Sequence, residues 1–209
     1  MNDKNIIKFS KCCANLYGLV TFADIQAAIL HYNHEDVDHK DIQETLERFV
    51  SKRTNIQIYK NYVYPTHAFS DTLHIEEFYK QVRTREFYYP NTKPFFYYFE
   101  ASYKSEITYP YEKNLFNFLE PFVPDKDRYE ILTEVCEFIG YRFMLGALPS
   151  HVINDIQHAF NFEFYFEEAD VFPLIGVLTD AYNHTRLYSL RGFTPTEVAN
   201  GVTSKPYAY

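Results

Sequence analysis

Glycine is scarce in this 209-residue chain, which has six glycines where an average usage of roughly 7% would give about fifteen. Nucleotide-binding loops need clustered glycines, because their backbone amides must approach phosphates closely. No GxG, GxGxxG or GxxxxGK pattern occurs. The sequence therefore excludes a Rossmann or P-loop enzyme. The absence of GxSxG and HExxH also argues against the usual serine-hydrolase elbow and the zincin helix.

Cysteine is equally scarce, and the three present are Cys12, Cys13 and Cys136. An odd count without a CxxC pattern argues against a disulfide framework or a zinc ribbon and indicates a reducing compartment. The start MNDKNIIKF lacks the apolar stretch of a signal peptide. The longest apolar run, residues 171–178, is far shorter than the ~20 residues of a membrane helix. We therefore expect a cytoplasmic protein that does not enter a membrane.

The rest of the composition is that of a globular protein, with 46% hydrophobic and 23% charged residues. The chain holds 20 Phe and 20 Tyr but no Trp. Folding of a chain of this length buries roughly 70% of the surface that the unfolded chain exposes. The sequence thus predicts a hydrophobic core that needs neither disulfides nor metal.

The first 66 residues predict three helices. Apolar residues at helical spacing mark a first helix that ends before Gly18. Thr21 is the predicted N-cap of the second helix, and Asp24, three residues later, completes a capping box. A third apolar stripe predicts a helix over residues 38–53.

Two short β-rich runs follow these helices, NIQIY at residues 55–59 and YVYP at 62–65. They predict a hairpin that turns at Lys60-Asn61 and places Ile58 opposite Val63. Three helices followed by a hairpin indicate a winged-helix-like module.

Residues 67–209 predict an irregular helical domain. They hold 12 basic and 20 acidic residues, whereas residues 1–66 hold eight of each, so the second domain accounts for the net charge of −8. The fold class is therefore predicted as mainly α, with a winged-helix-like module at 1–66 and an acidic, aromatic-rich helical domain at 67–209. Helices are expected at 71–85, after 94, and at 112–119, 125–139, 150–160 and 167–187.

A strong helix start lies near the end of the chain, where Thr194 is the N-cap and a proline follows it. The segments YNHTRL at 182–187 and RGFTPTEV at 191–198 resemble a C-terminal signature, roughly YNNTR then GHTPNEL, of a low-GC Gram-positive bacterial and phage protein family. The chain departs from it at Phe193 and Thr196. The resemblance implies a bacterial or phage origin and supplies no catalytic residues.

A winged helix usually places its third helix in the DNA major groove and its wing on the backbone. Glu44 and Glu47 lie on the outward face of the predicted third helix, where they would face phosphates. The pattern leaves two alternatives open, DNA binding and a protein-interaction or packing module. The candidate DNA contacts are Lys40, Arg48, Lys52, Arg53 and Lys60.

Residues 87–111 contain eleven aromatic residues but only Lys93 and Lys104 as cations. Stacking platforms for single-stranded bases interleave aromatic rings with Lys and Arg, so we interpret the stretch as a core or interface layer. The candidate partner surface combines the middle of this aromatic stretch with an acidic cluster further along the chain. It comprises Phe95, Phe96, Tyr97, Tyr98, Glu163, Glu167 and Glu168.

Two groups of residues resemble metal ligand sets. His151, Asp155 and His158 lie at i, i+4 and i+7 of one predicted helix, but its apolar residues lie on the opposite face, so we expect the set to face solvent. A metal-dependent enzyme would need a further ligand, such as His184. The second group lies in a predicted loop that we expect to be solvated, and it comprises His31, His34, Asp36, Asp38 and His39.

These observations predict a non-enzymatic interaction or regulatory protein with no cofactor and no metal. The acidic helical domain would bind a protein partner by complementary charge, and an inhibitor of nucleic-acid-handling host machinery fits that description. The alternative is a winged-helix DNA-binding transcriptional regulator. The sequence is compatible with a homodimer.

Overall fold

A computed structural model of the protein describes residues 1–50, 55–101, 110–123, 127–160 and 166–203. Helices make up 66% of the described residues, which form ten α-helices and one three-stranded antiparallel sheet, so the predicted mainly α class is confirmed. Two compact units divide the chain. Unit 1 comprises Met1–Ser102, Tyr188–Phe193 and Gly201–Tyr209, and unit 2 comprises Tyr103–Leu187 and Thr194–Asn200.

Unit 1 holds five helices and all three strands of the described residues. In chain order they are α1 (Asp3–Tyr17), β1 (Val20–Thr21), α2 (Phe22–Asn33), α3 (His39–Phe49), β2 (Ile56–Tyr59), β3 (Tyr62–Pro65), α4 (Thr72–Val82) and α5 (Thr92–Tyr97).

The end of α1 and the start of α2 follow the predicted capping signals. The backbone N–H of Gly18 donates to Ala14 at the end of α1, and Gly18 has a φ of 76°. At the start of α2, Thr21 Oγ1 accepts from the Asp24 backbone N–H, and the Asp24 carboxylate accepts from that of Thr21. α3 ends at Phe49, earlier than predicted, because Val50 turns to extended backbone.

The sheet has the strand order β1-β3-β2. Ile58 lies opposite Val63 in the antiparallel β2–β3 pair, so the predicted hairpin register is confirmed. Val20 of β1 pairs with Val63 from the other side. The sequence does not predict β1, because two residues are too few to show the alternation of a strand.

The core of unit 1 lies between α1, α2, α3, the sheet and α5. Phe95 of α5 is 0% exposed, and its ring stacks on Tyr32 of α2 at 4.2 Å between centroids. The predicted boundary after residue 66 therefore falls inside unit 1, because α5 completes the core of the first three helices. Other buried residues of this core are Ile6, Phe9, Cys13, Leu16, Ile25, Ile29, Ile42, Leu46 and Val63.

The segment Tyr188–Phe193 belongs to unit 1 although it is distant in sequence. Arg191 is 2% exposed, and its guanidinium donates to the backbone carbonyls of Leu19 and Val82. The guanidinium also lies over the Phe87 ring, 4.4 Å from the centroid. The Arg191 carbonyl accepts from the Tyr88 backbone N–H at 3.0 Å. One side chain thus joins the end of α1, the end of α4 and the segment before α5.

Unit 2 holds the remaining five helices of the described residues. They are α6 (Pro110–Leu119), α7 (Arg128–Met144), α8 (Pro149–Ala159), α9 (Glu168–His184) and α10 (Pro195–Ala199), with a 3-10 turn at Glu120–Phe122 after α6. α9 packs against α6, α7 and α8. The buried residues between these helices include Leu115, Leu119, Val135, Ile139, Phe143, Val152, Ile156, Leu174 and Leu178.

α10 begins as predicted, since Thr194 Oγ1 accepts from the Glu197 backbone N–H and Glu197 accepts from that of Thr194. Glu197 also forms a two-contact ion pair with Arg186. This pair joins the two segments that carry the C-terminal signature within unit 2. In the described parts of the chain, no helix is both long and apolar enough to cross a membrane.

Gly18 is the glycine that the fold requires most strictly. Its φ of 76° is in the left-handed region, and a Cβ at this position would overlap the ring of Tyr188. We predict that Gly18→Ala lowers the free energy of unfolding by about 2–4 kcal/mol, from backbone strain and overpacking together. Urea unfolding, monitored by circular dichroism, measures this free energy for the variant and the wild type.

Gly176 is the matched control, because it lies inside α9 and a Cβ there would meet nothing within 4 Å. Gly176→Ala should raise the stability of unit 2 by about 0.5–1 kcal/mol, the helix-propensity difference. If Gly18→Ala were as stable as the wild type, the contact between Gly18 and Tyr188 would not exist in solution.

Candidate functional site

The predicted DNA-contact residues on α3 are engaged by carboxylates. Lys40 Nζ lies 3.9 Å from Glu44 on the same helix, and an Arg48 guanidinium nitrogen lies 3.5 Å from Asp3 of α1. Both pairs are largely exposed, so each is worth about 0–1 kcal/mol. Even so, a phosphate would have to displace a carboxylate to use either cation.

The predicted wing carries the same kind of pair. Lys60, at the turn between β2 and β3, donates to Glu76 of α4, and this hydrogen bond raises the pKa of Lys60 and lowers the pKa of Glu76. Lys52 and Arg53 lie outside the described residues. Each described candidate for DNA contact therefore lies within 4 Å of a carboxylate oxygen.

The aromatic stretch contributes both to the core and to the surface. Phe95 is fully buried, so its assignment to a partner surface is wrong, because the ring fills the core beside Tyr32. Phe96 and Tyr98 are half-buried against the same core. Tyr97 points outward and is 61% exposed.

α1 brings lysines to these rings. Lys8 Nζ lies 3.9 Å from the centroid of Phe96, and Lys11 Nζ lies 4.4 Å from the centroid of Phe99. Neither lysine belongs to the aromatic stretch, so its composition alone could not predict these contacts. The spacing of Lys4, Lys8 and Lys11 at i, i+4 and i+7 was the available signal.

Charge is divided unequally between the two units. Unit 2 contains six basic and fifteen acidic residues, a net charge of −9, whereas unit 1 contains fourteen and thirteen, a net charge of +1. The acidic character predicted for the second half of the chain therefore belongs to unit 2.

One side of α9 exposes an apolar patch within this acidic unit. Phe172 is 84% exposed, the highest value among the large hydrophobic residues of the described chain. The residues at i−4, i−3, i+1 and i+4 from Phe172 are exposed as well. We name this patch the α9 surface, and it comprises Glu168, Ala169, Phe172, Pro173 and Gly176.

The acidic part of the predicted partner surface lies at the start of α9. Glu167 and Glu168 are exposed, and the Asp170 carboxylate accepts from the Glu167 backbone N–H at 3.0 Å. Glu163 lies outside the described residues. The predicted surface is thus divided, since residues 95–98 lie in unit 1 and the two glutamates in unit 2. Phe172 was missed, although its offset from buried Leu174 marks it as outward-facing.

The two groups that resemble metal ligand sets include carboxylates with other partners. Asp155 accepts from Nε and from a terminal nitrogen of Arg142, both at 2.8 Å, so its carboxylate is already paired. In the loop before α3, Asp38 accepts from the Lys40 backbone N–H, and Asp36 accepts from Gln26. Among the residues that the structure describes, no group of three or more His, Cys, Asp or Glu is arranged to hold a metal.

A small pocket, with room for about one water molecule, lies between α6, α7 and α9 of unit 2. Its described lining contains one carboxylate, Glu112, and the hydroxyl of Thr185 is used in a bond to the Ala181 carbonyl. The lining residues are Tyr111, Glu112, Leu115, Cys136, Ile139, Gly140, Phe143, Ala181 and Thr185.

All three cysteines are buried. Burial raises the pKa of the Cys12 and Cys136 thiols to about 12 and holds the pKa of Cys13 well above its ordinary value. A thiol in that state is a poor nucleophile, because the thiolate is the reactive form.

Comparison with protein-family models, with curated proteins and with solved structures gave no match.

The buried thiols generate a prediction about reactivity. At pH 8 a pKa of about 12 leaves roughly one thiol in ten thousand ionised, so the folded protein should react with Ellman's reagent at least a thousandfold more slowly than the urea-unfolded protein. Absorbance at 412 nm follows the reaction. Rapid release of one equivalent from the folded protein would instead identify a nucleophilic cysteine.

Proposed function

We propose that this chain is a non-enzymatic interaction protein whose acidic unit 2 binds a protein partner that has a basic face. The observation that carries the proposal is the α9 surface, where Phe172 is 84% exposed in a unit of net charge −9. An exposed aromatic residue in a strongly acidic unit has the form of an interface anchor with a charged rim.

The two parts of the α9 surface would contribute differently to binding. Burial of an exposed Phe side chain is worth about 1.5–3 kcal/mol, and aromatic anchors at interface centres often carry a large share of the affinity. The acidic residues would mainly raise the association rate and select for basic partners.

The basic face of a protein that binds nucleic acid matches this chemistry. Such a face is built to receive phosphates, and an acidic protein surface can occupy it by complementary charge. We therefore propose a regulatory role in which unit 2 blocks a nucleic-acid-handling protein. The suggested bacterial or phage origin is consistent with this role.

We further propose that the start of unit 1 is a winged-helix-like module. The element order α1-β1-α2-α3-β2-β3 and the sheet order β1-β3-β2 support this interpretation. The ion pairs of Lys40, Arg48 and Lys60 favour use of the module for packing or protein interaction over duplex DNA binding. A DNA-binding regulator is the second candidate.

A pair of variants tests the α9 surface. Tagged wild-type protein, Phe172→Ser and Tyr129→Ser are incubated with lysate of a low-GC Gram-positive bacterium, and bound proteins are quantified by mass spectrometry. Tyr129 is the matched control, because it is also an exposed aromatic residue of unit 2 but lies on α7. We expect a basic protein that the wild type and Tyr129→Ser retain and that Phe172→Ser loses.

The captured protein is then purified and titrated by calorimetry. Phe172→Ser should weaken binding by about 30-fold or more, the loss of an aromatic hot spot. Glu167→Gln/Glu168→Gln should weaken it mainly at low salt, because salt screens the charges. Equal binding by Phe172→Ser and the wild type would contradict the proposal.

Duplex DNA separates the second candidate from the first. The variant Lys40→Ala/Arg48→Ala/Lys60→Ala should bind a labelled generic duplex as the wild type does at about 50 mM salt, since these cations are already paired with carboxylates. Fluorescence anisotropy measures the binding. Saturable binding by the wild type that the triple variant loses would favour the DNA-binding regulator.

A further inference from the structure

Four lysines of unit 1 lie on two helices that pack against each other, α1 and α5. Lys4, Lys8 and Lys11 share one side of α1, and Lys93 lies on α5. Within the described chain, none of the four has a carboxylate oxygen within 4 Å. Asp3, the acidic neighbour of Lys4, is paired with Arg48. In this respect the four lysines differ from Lys40, Arg48 and Lys60, each of which lies within 4 Å of a carboxylate oxygen.

Two of these ammonium groups are held in place by aromatic rings. Lys8 lies over Phe96 and Lys11 over Phe99, at 3.9 and 4.4 Å from the ring centroids. A cation–π contact uses the ring as a support and leaves N–H donors of the ammonium for another acceptor. Because the rings restrict the side chains beforehand, less conformational entropy is lost when an anion binds.

An exposed ring, Tyr97, lies on α5, the helix that also carries Lys93 and Phe96. Tyr97 follows Phe96 and is four residues after Lys93, so Lys93 and Tyr97 share one side of α5. Tyr97 is 61% exposed, which leaves its ring accessible to a planar ligand. Nucleic-acid bases stack on such rings.

We propose that unit 1 carries a binding surface for single-stranded nucleic acid, formed by Lys4, Lys8, Lys11, Lys93 and Tyr97. The lysines take the phosphates, and Tyr97 stacks against a base. A single strand fits better than a duplex, because a base must be free of its own stack to reach a protein ring. This surface is separate from the α9 surface and does not depend on the function proposed for unit 2.

An acidic polypeptide could also pair with the lysines, but it would have no base to place on Tyr97. The combination of unpaired cations with an exposed ring therefore favours nucleic acid. The two ligands also differ in their response to variants, because only nucleic acid should require both the charge and the ring.

Fluorescence anisotropy of labelled 20-nucleotide oligo(dT) and of a single-stranded RNA of the same length tests the proposal at about 50 and about 200 mM salt. With four phosphate contacts, this change in salt should weaken wild-type binding by about 50-fold. Lys8→Gln/Lys11→Gln should bind the oligonucleotide more weakly, and its affinity should fall only about 7-fold over the same range of salt. Tyr97→Ala should bind about 5-fold or more weakly with the wild-type salt dependence.

Lys40→Gln/Lys60→Gln is the matched control, since it removes two cations outside the surface and should bind as the wild type does. Phe172→Ser should also bind oligonucleotide normally, which separates this test from that of the α9 surface. Circular dichroism verifies that each variant is folded. Failure of the wild type to bind oligonucleotide at low salt would overturn the proposal. Binding of labelled poly-glutamate with equal affinity, unaffected by Tyr97→Ala, would overturn it in favour of an acidic polypeptide.

Discussion

Unit 1 depends on the burial of one cation, the guanidinium of Arg191. It donates to the carbonyls of Leu19 and Val82 and lies over the Phe87 ring, so parts of the chain separated by up to 172 residues meet at one group. Burial lowers the pKa of Arg191, but the planar guanidinium, with five donors, keeps its charge and can serve several carbonyls at once. The same segment places Tyr188 against Gly18, whose missing side chain makes room for the ring.

The two units use charge in opposite ways. In unit 1, cations on α3 and at the β2–β3 turn are paired with carboxylates, while lysines on α1 are supported by aromatic rings. In unit 2, acidic residues greatly outnumber basic ones, and the surface includes an exposed phenylalanine. Net charge alone hides this division, because a total of −8 describes neither unit.

Local features of the fold could be predicted from the sequence. The capping boxes at Thr21 and Thr194, the glycine that ends α1, and the pairing of Ile58 with Val63 each depend on residues close together in the chain. The burial of Phe95 and the lysine–ring contacts could not be predicted, because they require knowledge of how α5 packs against α1. The candidate DNA contacts were chosen by residue type, and their carboxylate partners come partly from other helices. Propensity and periodicity carry no information about such long-range contacts.

The division of the chain also affects the order in which it can fold. Residues 103–187 of unit 2 lie between Ser102 and the Arg191 segment, both of which belong to unit 1. At a synthesis rate of about 5–20 residues per second, Arg191 is made roughly 5–20 s after Ser102. During that interval the ends of α1 and α4 have no guanidinium to bind. Unit 1 of a nascent chain therefore lacks the Tyr188–Phe193 segment until that segment has left the ribosome, well after residues 1–102.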